Sequence, residues 1–284
     1  MRPAASAKAG PGRLRIFPHD KPVQELWLIE PRAYTVGRDQ NSDLCLDDPV
    51  ISRSHLEIDT RQEPWQIVDP GSKNGTRIDG RPLGQGTLEA DCWISLGGIP
   101  ARFERLTADR KQQTDYLNQQ HRDTLNVALD HLHQESDIAR QFDRLCEAFL
   151  ELAGCTHGAL ILAANASETR VAWIRGWNQF SGSRTVLRSA LVKGEVVVVN
   201  DVTLEQSMAS QASIVNRPVR AVICIPLKSD EQVLGALYAE SDQPGKLFSR
   251  LDVELMETLA EQAVILIGLK RLRTQLYALA SENG

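Results

Sequence analysis

Cysteine is scarce and scattered. The 284 residues include five, Cys45, Cys92, Cys146, Cys155 and Cys224, and no two form a C-x-x-C pair. That spacing argues against a zinc ribbon or a disulfide framework and fits a reducing, cytoplasmic compartment. Isolated cysteines are read first as small buried hydrophobes. Long apolar runs are also missing. The longest, such as Ala263 to Leu269, fall far short of a bilayer span. The opening stretch is rich in Ala, Gly and Pro and has no apolar core, so residues 1–12 are expected to form a disordered tail rather than a signal peptide. Phosphate-loop, kinase and H-E-x-x-H signatures are absent, so nothing suggests an ATPase, a kinase or a zinc protease. No internal repeat is visible. A net charge of -5 gives no electrostatic reason to expect nucleic acid or an anionic membrane as the main partner.

What remains is an ordinary soluble composition, 42% hydrophobic and 24% charged, in a chain long enough for two domains. Residues 13–106 read as short strands. They include Leu14–Phe17, Gln24–Ile29, Arg32–Val36, Leu44–Leu46, His55–Ile58, Trp65–Val68, Thr76–Ile78 and Arg102–Glu104. Pro-Gly, Asn-Gly and Asp-Gly turns separate them, which predicts an all-β sandwich.

The character then changes. Thr107 to Gln141 contains neither Gly nor Pro, and Leu125, Leu129 and Leu132 recur at helical spacing. Continuing through Ala139, Phe142, Cys146 and Phe149, the pattern predicts one long amphipathic helix, with residues 107–139 a coiled-coil-like linker. Strands follow at Ala159–Ala163, Val171–Ile174, Glu195–Val199, Ala221–Leu227 and Val233–Ala239. A last helix begins near Ser249, with Asp252 three residues on, and continues to Ala278.

In the first region five signatures stand in order: Tyr34-Thr-Val-Gly-Arg38, Ser42-Asp43-Leu44, Ser52-Arg53-Ser54-His55, Val68-Asp69 and Ser72-Lys73-Asn74-Gly75-Thr76. This resembles a forkhead-associated (FHA) domain, the module that reads phosphothreonine. The resemblance implies a phosphopeptide site made of Arg38, Ser52, Arg53, Lys73 and Asn74. Arg38 would supply a planar cationic fork, Ser52 a hydroxyl donor, Arg53 and Lys73 rim charge, and Asn74 an amide for the peptide backbone. Gly37, His55 and Gly75 are implied to be structural. Two departures stand out: Lys73 where many members carry a short polar residue, and Thr76-Arg77-Ile78 for a frequent Thr-Phe-Val type strand. Taken singly, these residues have plainer readings: Asn74-Gly75 as a hairpin turn, Arg38 as a solvated charge, His55 as a satisfied loop histidine. A hydrolase reading of Ser52, His55 and Asp69 lacks the G-x-S-x-G elbow and its helix.

Ser189 to Asp201, Arg220 to Leu227, Val233 to Tyr238 and Phe248 to Asp252 together resemble a GAF domain, spanning residues 140–270 with a helical extension over 271–284. The expected fold class is thus multidomain, an FHA-like sandwich and an α+β GAF-like domain with an antiparallel sheet, joined by a helical linker. GAF domains enclose small ligands or serve in dimerisation. Nothing selects a ligand here, so no cofactor is assigned beyond an unidentified small molecule. Cys155 and Cys224 as tetrapyrrole attachment sites and His157 as a haem ligand are weaker readings than packing or loop roles. Trp173, Trp177 and Phe180 suit a pocket or a core. Arg175, Arg184 and Arg188 suit an anion or a solvated face.

Together the two resemblances imply a non-enzymatic bacterial signalling adaptor. It would bind a phosphothreonine protein made by, or identical with, a Ser/Thr kinase, and would itself be a homodimer without nucleic-acid contact or membrane insertion. The alternatives are a GAF-centred ligand sensor that the FHA domain merely localises, a scaffold without phosphate binding, and the partner-binding part of a transcription-regulatory system.

Overall fold

The computed structural model describes residues 10–164, 168–201, 221–230 and 232–282. Most of the expected N-terminal tail lies outside them. The chain divides into two compact units, the described residues of the first being chiefly 10–19 and 23–117, and those of the second chiefly 118–201 and 221–282.

The first unit is a sandwich of eleven strands: β1 (Gly12–Ile16), β2 (Gln24–Leu28), β3 (Ala33–Gly37), β4 (Leu44–Cys45), β5 (Leu56–Asp59), β6 (Trp65–Val68), β7 (Thr76–Ile78), β8 (Arg81–Leu83), β9 (Gln85–Leu88), β10 (Cys92–Leu96) and β11 (Ile99–Arg105). One sheet runs β2-β1-β11-β10-β7-β8 and the other β4-β3-β5-β6-β9. Their inner faces meet through Leu14, Ile16, Leu28, Val36, Ile58 and Phe103, among others. The alternation that predicts these strands is the alternation that fills the core. In β1, Leu14 and Ile16 point inward, while Arg13 and Arg15 lie over the Trp27 and Phe17 rings.

Three strands, β8, β9 and β10, are absent from the sequence reading. Arg81-Pro-Leu83 and Gln85-Gly-Thr-Leu88 carry residues that strands avoid. They pair because β7 and β6 present open edges to them.

The second unit is α+β. It holds α1 (Ala108–Gln134, from residue 118), α2 (Ile138–Ala153), β12 (His157–Ala163), β13 (Thr169–Arg175), α3 (Arg184–Lys193), β14 (Val197–Val199), β15 (Ala221–Ser229), β16 (Gln232–Ser241) and α4 (Arg250–Glu282). The antiparallel sheet has the order β13-β12-β16-β15-β14. Leu125, Phe149, Leu160, Leu237, Met256 and Leu259 belong to the core that the longer helices share with the sheet. Leu187, Ala190, Cys224 and Tyr238 belong to a second core on the side of α3, a helix the sequence reading missed.

The single long helix expected through residue 149 is instead two. α1 ends at Gln134 and α2 starts at Ile138. Asp137 is extended (φ -88°, ψ 118°), and its carboxylate accepts from the Arg140 N–H at 3.0 Å. Gln141 reaches back, donating to the Leu132 and Glu135 carbonyls at 3.2 and 2.8 Å. Both helix ends are therefore capped by side chains, so no Gly or Pro is needed to make the break. At the start of α4, Ser249 and Asp252 form the reciprocal cap their spacing suggests. The Asp252 carboxylate accepts the Ser249 N–H at 2.6 Å, and the Ser249 hydroxyl accepts the Asp252 N–H at 3.2 Å.

Candidate functional site

The candidate site lies where three loops of the sandwich meet. The end of β3 is laced to the 52–54 loop: the Arg38 N–H donates to the Ser52 carbonyl at 2.9 Å and the Asp39 N–H to the Arg53 carbonyl at 3.2 Å. The lacing requires a glycine at position 37. A Cβ there would fall on the Arg53 carbonyl oxygen, 2.8 Å from its carbon and 3.1 Å from the Ser52 oxygen.

His55 is completely buried behind this loop. Its Nδ1 accepts the Ser52 N–H at 3.0 Å, so Nε2 carries the proton and faces the Gly75 carbonyl at 3.4 Å. Burial, the largest influence, holds its pKa below the ordinary 6.5, against weaker opposing effects from the Gly75 carbonyl and Asp69. The neutral ring joins the 52–55 loop to the 72–75 loop. Gly75 makes its turn with φ 75°, a conformation that favours glycine.

The third loop is held by Asp69, a brace whose role the sequence reading did not assign. Its Oδ1 accepts the Gly71 and Ser72 N–H groups at 3.0 and 2.6 Å, and its Oδ2 accepts the Ser72 hydroxyl at 2.7 Å. Partial burial alone would raise its pKa. These hydrogen bonds outweigh burial and hold the carboxylate below its usual range. The Asp-Pro-Gly-Ser turn was the available signal. Asp69 and His55 are thus committed to loop bracing, and His55 receives the backbone N–H of Ser52, not its hydroxyl. The arrangement is no hydrolytic triad.

On this frame Arg38, Ser52, Arg53 and Lys73 line one open pocket of about 470 Å³, with Pro49, Val50 and Ile51 beside them. The Ser52 hydroxyl oxygen accepts the Lys73 N–H at 2.9 Å, which leaves its hydrogen to donate outward. Among the described residues the side chains of Arg38, Arg53 and Lys73 make no ion pair. Asp39 contributes a weak Coulombic attraction to Arg53, while its own pKa is lowered chiefly by hydrogen bonds from Asn41. Asn74 stands apart from the pocket lining. Its Nδ2 donates to the Val50 carbonyl at 2.7 Å, leaving one amide hydrogen and its carbonyl oxygen available. Cationic donors and one hydroxyl around a shallow pocket suit an anion with several acceptor oxygens.

In the second unit the sequence candidates scatter. Trp177 and Phe180 pack against Tyr238, with centroids 6.1 and 5.1 Å away. Trp173 lies among the helix-side core. His157 stacks on Trp177 at 5.0 Å. Cys224 is fully buried and Cys155 partly so, and burial pushes the Cys155 thiol up to about 12. Neither is a poised nucleophile. Arg175 pairs with Glu147 at 2.9 Å, whereas Arg184 and Arg188 line a shallow depression on α3.

Comparison with known proteins defines the class. Residues 34–97 match the FHA domain model and residues 137–267 the GAF domain model. The chain therefore carries an FHA domain followed by a GAF domain. The oxoglutarate dehydrogenase inhibitor of Corynebacterium efficiens is 34% identical over 71 residues, 25% of this chain and 50% of that protein. Glycogen accumulation regulator GarA of Mycobacterium tuberculosis is 29% identical over 89 residues, 31% of this chain and 54% of that protein. The chain thus spans about half the length of the curated relatives it matches. Among solved structures, the FHA domain of the CT664 protein from Chlamydia trachomatis is 31% identical, covering 34% of this chain and 100% of that one, with a TM-score of 0.32. No described helix is long and apolar enough to cross a membrane.

Proposed function

We propose that this chain is a bacterial signalling adaptor whose FHA domain docks onto phosphothreonine in partner proteins. The observation that carries this reading is the convergence of Arg38, Ser52, Arg53 and Lys73 on one pocket, with no competing ion pair among the described residues. Arg38 grips two phosphate oxygens, the Ser52 hydroxyl donates to a third, and Arg53 and Lys73 add charge at the rim. Asn74 holds the peptide backbone, while Gly37, His55 and Gly75 keep the loops in place. Relatives named as an inhibitor and a regulator fit a protein that acts by binding and not by catalysis. The partner is a substrate of a Ser/Thr protein kinase, or the kinase itself, in the cytoplasm.

The GAF domain dimerises the adaptor. Ile265, Leu269, Leu272 and Leu276 stand on one face of α4 at intervals of four, three and four, and are 53, 48, 57 and 65% exposed. That spacing suits the seam of a two-stranded coiled coil, in which a parallel second copy sets each residue against itself. Two linked FHA domains then bind a doubly phosphorylated partner with increased avidity.

The test is fluorescence anisotropy of the full chain with a labelled peptide library in phosphothreonine, phosphoserine and unphosphorylated forms. Binding of the phosphothreonine form at least tenfold tighter than the unphosphorylated form is expected. Equal affinity for the two refutes the reading.

A further inference from the structure

Among the described residues, the face of the GAF sheet beneath α3 has little room for a ligand. The Tyr238 ring fills it, packed edge-on to Phe180 at 5.1 Å, with its hydroxyl donating to Glu240 at 2.7 Å and accepting the Ser183 N–H at 2.7 Å. Even a Cβ on Gly182 would come within 2.7 Å of that ring.

The helix side is different. Between α2, α4 and the edge strand β13 runs a groove of about 750 Å³. That lies within the roughly 300–1,000 Å³ usual for small-molecule sites. Leu160 and Ile267, both nearly inaccessible, lie at its base, and the partly exposed Phe142, Leu162 and Trp173 are the largest of the other apolar side chains that line it. Arg170, Lys270 and Arg271 are the exposed cations of the lining, and Asp143 is its single carboxylate. Among the described residues none of the three cations has a carboxylate within ion-pair distance. The Lys270 ammonium sits 5.8 Å from the Phe142 ring centroid, over the mouth of the apolar part.

We infer that this groove binds an organic anion with an apolar body, of the class of a medium-chain carboxylate. The body lies on Phe142, Leu162 and Trp173. The head group is held by Lys270 and Arg271, with Arg170 facing it from β13. A neutral apolar ligand leaves the three cations unused, and a small hydrophilic anion leaves the floor exposed. Such a ligand joins β13 to α4 within the turn that carries Leu269 and Leu272, so occupancy is linked to the segment proposed for dimerisation. Every residue of this groove belongs to the second unit, so ligand binding here is independent of phosphopeptide binding.

The experiment is calorimetric titration of the full chain with decanoate and, separately, with its neutral counterpart decan-1-ol. Decanoate is expected to bind at one site at least tenfold tighter than decan-1-ol. The Lys270→Gln/Arg271→Gln variant is expected to bring decanoate down to the decan-1-ol level, a loss of roughly tenfold for two partly exposed charge contacts. The Arg184→Gln/Arg188→Gln variant, which removes two exposed cations of α3, is expected to bind decanoate unchanged. Equal binding of acid and alcohol, no saturable site, or an equal loss in both variants overturns the inference in favour of adsorption to apolar surface only.

Discussion

Replacing Gly37 with alanine isolates the feature on which the proposed phosphate pocket depends. The φ angle at Gly37 is not in the left-handed region, so the effect is steric and not conformational. The new methyl falls on the Arg53 carbonyl, and the atoms it meets are backbone, which cannot swing aside as a side chain would. The 52–54 loop must retreat by about an ångström. That costs about 1–3 kcal/mol as overpacking. It also weakens two hydrogen bonds, Arg38 to Ser52 and Asp39 to Arg53, each contributing about 0.5–1.5 kcal/mol. A destabilisation of about 2–6 kcal/mol follows, a large share of the ~5–15 kcal/mol that holds a typical domain together. Urea unfolding followed by tryptophan fluorescence measures it, since Trp27, Trp65 and Trp93 lie in the sandwich. Gly84→Ala is the control: a Cβ there meets nothing within 4 Å and the φ is ordinary, so its midpoint stays close to wild type. The same displacement moves Ser52 away from Arg38 and is expected to lower the proposed phosphopeptide affinity at least tenfold. If Gly37→Ala is as silent as Gly84→Ala in both assays, the lacing does not hold the site.

His55 makes the sandwich sensitive to mild acid. Its folded pKa lies below the unfolded 6.5, so the folded state binds fewer protons, and its stability contribution is complete above pH 6.5 and lost as pH falls through the folded value. The urea midpoint is expected to drop between pH 7.5 and 5.5, and a flat midpoint contradicts the neutral-ring assignment. Leu269→Glu/Leu272→Glu is expected to turn a dimer into a monomer in sedimentation velocity with an unchanged circular dichroism spectrum, and an unchanged sedimentation coefficient removes the proposed seam. Asp137→Ala loses the cap of α2, and the GAF unfolding transition is expected to fall by about 1 kcal/mol; no change means that the break between α1 and α2 is held by Gln141 alone.

Much of this molecule is written locally. Strands such as β1 and β5 alternate cleanly, and the Ser249-to-Asp252 spacing announces the start of α4. Of the candidate site, the sequence foretells the convergence: Arg38, Ser52, Arg53 and Lys73 sit in short loops at fixed spacing, and the fold brings them to one pocket. What was illegible depends on partners distant in sequence. β8 and β9 are poor strand formers that pair only because a sheet edge awaits them. The turn between α1 and α2 is made by capping side chains and leaves no Gly or Pro behind. Asp69 reads as part of a turn, and only its hydrogen bonds to Gly71 and Ser72 reveal a brace. Asn74 is expected to reach a peptide, and its amide also ties down the Val50 carbonyl, which the sequence does not show.

The central claim is phospho-dependent recognition through Arg38. Calorimetry of the full chain and of its Arg38→Ala variant, each against a phosphothreonine peptide library and the unphosphorylated twin, tests it most directly. The account predicts saturable heat for the wild type with the phosphorylated library alone, and its loss in Arg38→Ala while the circular dichroism spectrum is retained. Binding that ignores the phosphate, or that survives in Arg38→Ala at full strength, contradicts it.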